Sequence, residues 1–249
     1  MPTILKNINA DLYSNDLFDS WINRKNLIPV EEFLLKKYLT DTTKSVLEAG
    51  TGGGRISFRI EQMGFSNISA FDFAPIMIMH ANKVAKNAGS NVQFKILDAS
   101  NLAVYESNTF DYLIYLQQVL CFIDKEDLFI DSLKEAYRIA KQDGIIIYSF
   151  LDFDSRIFNP TLSKIISILR KLRKECISKQ HLPWLKINNK FNWKLFNKNQ
   201  PVTYWVKRDQ IISVLKEIGF SIVEANNANQ VTEQNDKKRL GMLYIVCRK

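Results

Sequence analysis

Residues 46–54 read Val-Leu-Glu-Ala-Gly-Thr-Gly-Gly-Gly, an apolar run that meets an acid and passes straight into a glycine-rich turn. Ser45, Val46 and Leu47 suit a short strand, Gly50, Gly52 and Gly54 alternate, and a helical spacing resumes from Arg55 to Gly64. Glycine accepts the positive φ of a tight turn and lets backbone N–H groups approach a ligand that a Cβ would push away. A ligand is therefore expected at the carboxyl end of this strand. A phosphate-cradling P-loop would close with Gly-Lys-Ser or Gly-Lys-Thr, whereas Arg55 and Ile56 follow Gly54, so that reading fails. The dinucleotide fingerprint wants a small residue where Arg55 stands, which weakens a nicotinamide oxidoreductase without excluding it. What remains is a nucleoside without phosphates, and Glu48 suits one whose amino-acid tail carries an ammonium.

Working outward, Asn67 to Phe71 forms a second strand ending at Asp72, about twenty residues beyond Gly52, where an acid can accept hydrogen bonds from both ribose hydroxyls. The same side chain can cap the helix that follows from Pro75 through Ala88, and the two roles are compatible. Val92 to Leu97 makes a third strand, closed by Asp98, Ala99 and Ser100. Phe110 to Leu116 is the fourth and runs on into Gln117 and Gln118. Asp124 to Ala140 reads as an amphipathic helix capped by Asp124, with Asp127 at the capping-box position. Gly144 to Leu151 is continuously apolar, as in a central strand buried on both faces. Glu48, Asp72 and Asp98 thus end three successive strands, and in an open α/β sheet those ends line one crevice.

This order resembles the class I S-adenosylmethionine-dependent methyltransferases, with VLEAGTGGG similar to their motif I and FKILDASNL to their adenine-binding step. The resemblance implies an α/β, Rossmann-like seven-stranded sheet, mostly parallel with a C-terminal antiparallel hairpin, helices on both faces and an insert after the fifth strand. It implies S-adenosyl-L-methionine as cofactor and S-adenosyl-L-homocysteine as product. Glu48, Gly50, Thr51 and Gly52 would then surround the amino-acid tail, Asp72 and Phe73 the ribose, and Asp98 and Ala99 the adenine. Leu116 and Gln117 would lie beneath the sulfonium, and Tyr13 would cap the methionine carboxylate. The chain departs from the base N-methylating members, since Leu116-Gln117-Gln118-Val119 replaces their Asn/Asp-Pro-Pro-Tyr/Phe signature. Attack on cytosine C5 needs an activated cysteine, and Cys121 sits between Leu120 and Phe122 as a buried thiol would.

A single methyltransferase domain over residues 1–249 is expected: a helical cover (1–44) of two helices broken near Pro29, a cofactor core (45–151), an insert (152–206), and a closing helix and strand pair (207–249). The last helix is Lys207 to Gly219, and strands Phe220 to Ala225 and Leu240 to Cys247 follow with no helix between them. Of the +8 formal charge, the stretch from Pro160 to Arg208 carries twelve Lys or Arg against the single Glu175, so the rest of the chain is mildly acidic. That stretch holds one amphipathic helix, Leu162 to Ile177, and then Trp184, Phe191, Trp193, Phe196, Tyr204 and Trp205 interleaved with lysines.

Two functions fit such an insert. One is a lid over a small-molecule acceptor, anionic or membrane-associated, with O-methylation of a natural product, sugar or lipid-like compound. The other is a surface for tRNA or rRNA, because basic and aromatic residues together also bind single strands. The lid is favoured, since Pro183 and Trp184 look able to wall a pocket and no recognised RNA-binding module is appended. His181 and Asp152 are the candidate bases, with Asp154 a rival; Gln117 or Gln118 would orient an acceptor hydroxyl. His80 reads as a surface histidine. No metal-ligand spacing appears, and Cys121, Cys176 and Cys247 are too few and too scattered for a disulfide framework, which suits a cytoplasmic protein. No stretch reaches the ~18 apolar residues of a membrane span.

Overall fold

Strand β1 (Val46–Ala49) is buried on both faces, with Leu47 packed into one hydrophobic layer and Val46 into the other. That alternation, repeated along the neighbouring strands, needs cover on both sides. The computed structural model describes residues 22, 24, 26–156, 159–175, 178–187, 190–197, 202–232 and 242–249. Ahead of β1 lies α1 (Pro29–Tyr38), with Pro29 in its first turn and Val30, Leu34 and Leu35 buried at helical spacing. The expected earlier helix, and Tyr13 with it, falls outside the described residues.

Four further elements alternate as the sequence predicts: α2 (Arg55–Gln62), β2 (Ile68–Asp72), α3 (Pro75–Ala88) and β3 (Gln93–Ile96). Then come β4 (Phe110–Tyr115), a short 3-10 turn at Val119–Phe122, α4 (Glu126–Ile139) and β5 (Ala140–Leu151). Helix α4 begins two residues after the expected cap Asp124, because Lys125 takes the extended cap position without a side-chain bond. The insert contains α5 (Pro160–Leu172), capped by the Asn159 side chain on the Leu162 N–H, and ends before the expected Ile177. It continues through β6 (His181–Pro183), β7 (Lys186–Ile187), β8 (Lys190–Phe191), a 3-10 turn at Trp193–Phe196 and β9 (Val202–Tyr204), with β6 pairing β9 and β7 pairing β8.

The chain closes with α6 (Arg208–Ile218), β10 (Ser221–Asn227), α7 (Ala228–Thr232) and β11 (Met242–Arg248). The expectation that no helix separates the last two strands is wrong. Asn227 Oδ1 accepts from the Gln230 N–H at 3.0 Å while Gln230 Oε1 accepts from the Asn227 N–H at 2.9 Å, a reciprocal cap that starts α7.

The seven strands are ordered β10-β11-β5-β4-β1-β2-β3, parallel except that β11 runs antiparallel to both its neighbours. One face packs on Phe129, Leu133 and Ala136 of α4 and on Ile211 and Leu215 of α6. The other packs on α1, α2 and α3 through Leu34, Ile60 and Ala81. From β1 the chain steps outward to β2 and β3, then crosses back to β4 on the far side of β1. The order therefore reverses between β1 and β4, and a crevice opens beyond their carboxyl ends, where open α/β sheets bind ligands.

Candidate active site

At that crevice the glycine turn is shaped by neighbours on both sides. Gly50 has φ +63°, and a Cβ there would fall inside the Val119 side chain of the turn that follows β4. Gly52 has φ +54°, and its Cβ direction meets nothing within 4 Å among the described residues. The first glycine is thus demanded by the protein's own packing; the second faces open space at the rim. Gly52→Ala is expected to cost about 1 kcal/mol of stability for the left-handed backbone and to weaken S-adenosylhomocysteine binding roughly tenfold or more through the methyl it adds to the crevice. Gly50→Ala should lose both stability and binding. Thermal melts beside calorimetric titrations of the two variants check this, and equal binding losses without a stability difference would contradict it.

The three acids of the rim have different surroundings. Glu48 is buried, and its Oε2 accepts from Thr51 Oγ1 at 2.7 Å, from the Ser57 N–H at 2.9 Å and from Ser57 Oγ. Burial pushes its carboxyl up to about 7 against these donors. Glu48 therefore staples the turn to the start of α2, and the Thr51 hydroxyl is spent on that staple. Asp72 is buried at the end of β2; its Oδ2 accepts from the Gly52 N–H and its Oδ1 from the Ala74 N–H, each at 2.9 Å. Burial raises its carboxyl, opposed by the N–H groups of Ala74, Gly52 and Phe73. Asp72 does not cap α3 as expected, since Ala74 takes the cap position without a side-chain bond; its carboxylate instead ties the Ala74 N–H just ahead of the helix to the Gly52 N–H of the glycine turn. Asp98 is half-buried, with Oδ1 accepting from Ser100 N–H at 2.9 Å and Ser100 Oγ at 2.8 Å, and Ala99 is half-buried beside it.

The turn after β4 completes the rim. Leu116 is buried in the core layer under α1 to α3. Gln117 and Gln118 both take positive φ, +59° and +55°, which is uncommon for non-glycine residues and held here by anchors. Gln118 N–H donates to Ser149 Oγ at 2.8 Å, and the Gln117 amide donates to Glu31. Glu31, on α1, is fully buried and takes a two-pronged ion pair from Arg55, with Nη1 to Oε2 at 2.6 Å and Nη2 to Oε1 at 3.1 Å. Arg55 thus turns away from the glycine turn and ties it to α1.

The insert reaches the same region. Trp184 stacks on Phe122, with ring centroids 5.5 Å apart, and Phe122 ends the 3-10 turn whose Val119 lies against Gly50. Tyr204 packs on Phe129 at 5.0 Å and on His181 at 4.8 Å. His181 is 4% exposed, and neither ring nitrogen has a hydrogen-bond partner among the described residues; nor has the buried Trp184 Nε1. Burial lowers the His181 pKa, keeping the imidazole neutral. Asp152, by contrast, has both carboxylate oxygens engaged: Oδ1 accepts from the Asp154 N–H at 3.1 Å and Oδ2 from Ser155 Oγ at 2.6 Å, which fixes the end of β5. Cys121 is a buried thiol pushed up to about 12, no nucleophile. Glu31, Ser57 and Ser149 were not singled out in the sequence.

The sheet order and its switch point are those of the class I S-adenosylmethionine-dependent methyltransferase fold. Residues 46–144, from β1 into β5, match the family model described as methyltransferase domain. Human EEF1A lysine methyltransferase 2 is 33% identical over 70 residues, 28% of this chain and 30% of that protein. The structure of the PH0226 protein from Pyrococcus horikoshii superposes with a TM-score of 0.65 at 23% identity, covering 96% of this chain and 98% of that one. The 1,6-didemethyltoxoflavin-N1-methyltransferase of Burkholderia thailandensis, solved with bound 1,6-didemethyltoxoflavin and S-adenosylhomocysteine, gives a TM-score of 0.62 at 16% identity, covering 96% of this chain and 84% of that one. At such identities the structures share the fold. The chain spans 30 to 58% of the length of the curated relatives that it matches. The residues present fit an adenosyl cofactor: a turn with open space at Gly52, a carboxylate at the end of β2, and a half-buried acid and small residue after β3.

Proposed function

We propose that this chain transfers the methyl group of S-adenosylmethionine to an oxygen of a small-molecule acceptor. Asp72, with Phe73 beside it, holds the ribose hydroxyls, Asp98 and the Ala99 N–H hold the adenine, and the backbone of Gly50, Thr51 and Gly52 admits the amino-acid tail. Glu48 shapes the turn around that tail through its bonds to Thr51 and Ser57, and Leu116 and Gln117 floor the crevice on the acceptor side. When bound, the cofactor supplies an electrophilic methyl on a sulfonium, and in-line displacement makes alignment of the acceptor the main demand on the protein.

The observation that carries the acceptor reading is His181. A buried imidazole with both nitrogens unpartnered among the described residues is costly unless a polar group meets it, by about 1–3 kcal/mol for each orphaned atom. Opening β6, the strand that leads to Trp184, and packed on Tyr204, it is the group of the insert best suited to accept a hydroxyl proton, and a neutral histidine is the form a general base needs. An oxygen acceptor needs such a base; a neutral amine acceptor does not. Asp152 is the weaker candidate because both its oxygens are engaged. Small-molecule chemistry also accords with the aromatic wall of Phe122, Trp184 and Tyr204. The buried free thiols Cys121 and Cys247 accord with a reducing, cytoplasmic setting.

Labelled S-adenosylmethionine, offered with a panel of hydroxylated small molecules, with total RNA and with a protein extract, tests this. Label should enter a small molecule, and His181→Asn should lower kcat about a hundredfold with the cofactor KM unchanged. Label entering RNA instead, with binding that falls steeply as salt rises, would establish the RNA reading.

A further inference from the structure

The outer side of the insert has a character that methyl transfer does not explain. Helix α5 buries none of its residues, yet six of its thirteen are Leu or Ile. Leu162, Ile166 and Leu169 are half-covered and face the protein, while Ile165, Ile168 and Leu172 are 42%, 60% and 75% exposed. The exposed three stand at i, i+3 and i+7, so they form a single outward stripe along the helix. Lys164 and Lys171, seven residues apart and both exposed, run along one edge of that stripe. At the carboxyl end of the helix, Arg173 donates to the Phe196 carbonyl, which brings the 3-10 turn bearing Trp193 alongside. Trp193 is 74% exposed and leans against the exposed Phe191.

We propose that this face docks the protein on an anionic lipid surface, with α5 lying in the interface. The charge argument selects the occupant: twelve cations against Glu175 between Pro160 and Arg208, on a chain whose remainder is mildly acidic. A stripe of aliphatic side chains bordered by lysines, with a tryptophan at its end, is the pattern of an interfacial helix. Nucleic acid shares the demand for cations but gains nothing from exposed isoleucine and leucine, and the two exposed rings pack edge to face on each other. Each lysine near an anionic bilayer raises partitioning about fivefold, and each methylene taken from water adds about fourfold. Arg170, on the same helix, donates Nη2 to the His181 carbonyl at 2.7 Å, so the docked element is joined directly to β6. The proposal does not rest on the methyl-transfer reading.

Flotation of the full chain with vesicles of phosphatidylcholine containing about a third phosphatidylserine, against vesicles of phosphatidylcholine alone, is the test. Capture by the anionic vesicles, weakened by salt and at least about tenfold poorer on the neutral ones, is expected. Ile168→Ser with Leu172→Ser should lower capture about tenfold or more, and Lys164→Gln with Lys171→Gln about thirtyfold. Circular dichroism and S-adenosylhomocysteine affinity should stay unchanged in both, which separates this surface from the cofactor site. The proposal is overturned by equal capture on both vesicles, by no capture, or by capture indifferent to the substitutions. It is equally overturned if polyuridine displaces the vesicles, or if sedimentation shows self-association that the serine variant abolishes and no vesicle binding.

Discussion

Asp72→Ala is expected to weaken S-adenosylhomocysteine binding about a thousandfold while leaving the far-ultraviolet circular dichroism spectrum unchanged. Two ribose hydroxyls donating to a carboxylate are worth about 1.5–3 kcal/mol each, and about 4 kcal/mol in total is a factor near a thousand. The structure adds a second reason for a large effect, since the same carboxylate accepts the Gly52 N–H at 2.9 Å and so sets the glycine turn against β2. The two contributions separate in Asp72→Asn. Its amide oxygen can still accept from the Ala74 N–H that Oδ1 now takes, so the start of α3 survives, but its NH2 points a donor at the Gly52 N–H. Asp72→Asn should therefore bind nearly as poorly as alanine and melt closer to the native chain. Calorimetry on both variants decides, and native affinity in Asp72→Ala would remove the ribose assignment.

The core strands and the glycine turn were legible because burial on both faces writes long apolar runs, and because positive φ at alternating positions admits little but glycine. β5 is the plainest case: Gly144 to Leu151 is apolar but for Ser149 and pairs on both sides, with β4 and with β11, although the strand begins four residues earlier, at Ala140. The insert was less legible. Its strands of two and three residues are too short for any period to show, and α5 was drawn five residues too long because the apolar spacing continues past the helix end. Helix α7 was missed because Asn227 and Gln230 read as loop residues until they are seen bonding each other. Asp152 drew attention as an acid at a strand end, and only the fold shows that Ser155, three residues on, closes a turn upon it. Glu31 was invisible for another reason. A glutamate in the first turn of an amphipathic helix reads as a solvated face, and its burial depends on partners 24 and 86 residues away.

Those partners set up the second large effect. Arg55→Met should destabilise the chain by about 3–5 kcal/mol, because it strands a fully buried carboxylate. For a chain of this size that is a fall in melting temperature on the order of 10 °C. Glu31→Leu alone should cost about as much, by leaving a guanidinium that is 10% exposed without its counter-charge. The double variant should recover most of the loss, since two apolar side chains of similar volume need no compensation. The pair differs from the surface bridge of Lys134 with Asp131, both exposed, whose removal should pass within about 1 kcal/mol. A coupling energy near zero in this cycle would mean that the Arg55 and Glu31 contact does not hold the rim together. Recovery of stability without recovery of cofactor affinity would be informative in the other direction. The Gln117 amide and the Arg55 guanidinium share Glu31, so one carboxylate joins the turn after β1, the turn after β4 and the cover helix α1. Arg55, which spoils a dinucleotide fingerprint when read along the chain, is in three dimensions the residue that fastens the glycine turn to the cover helix α1.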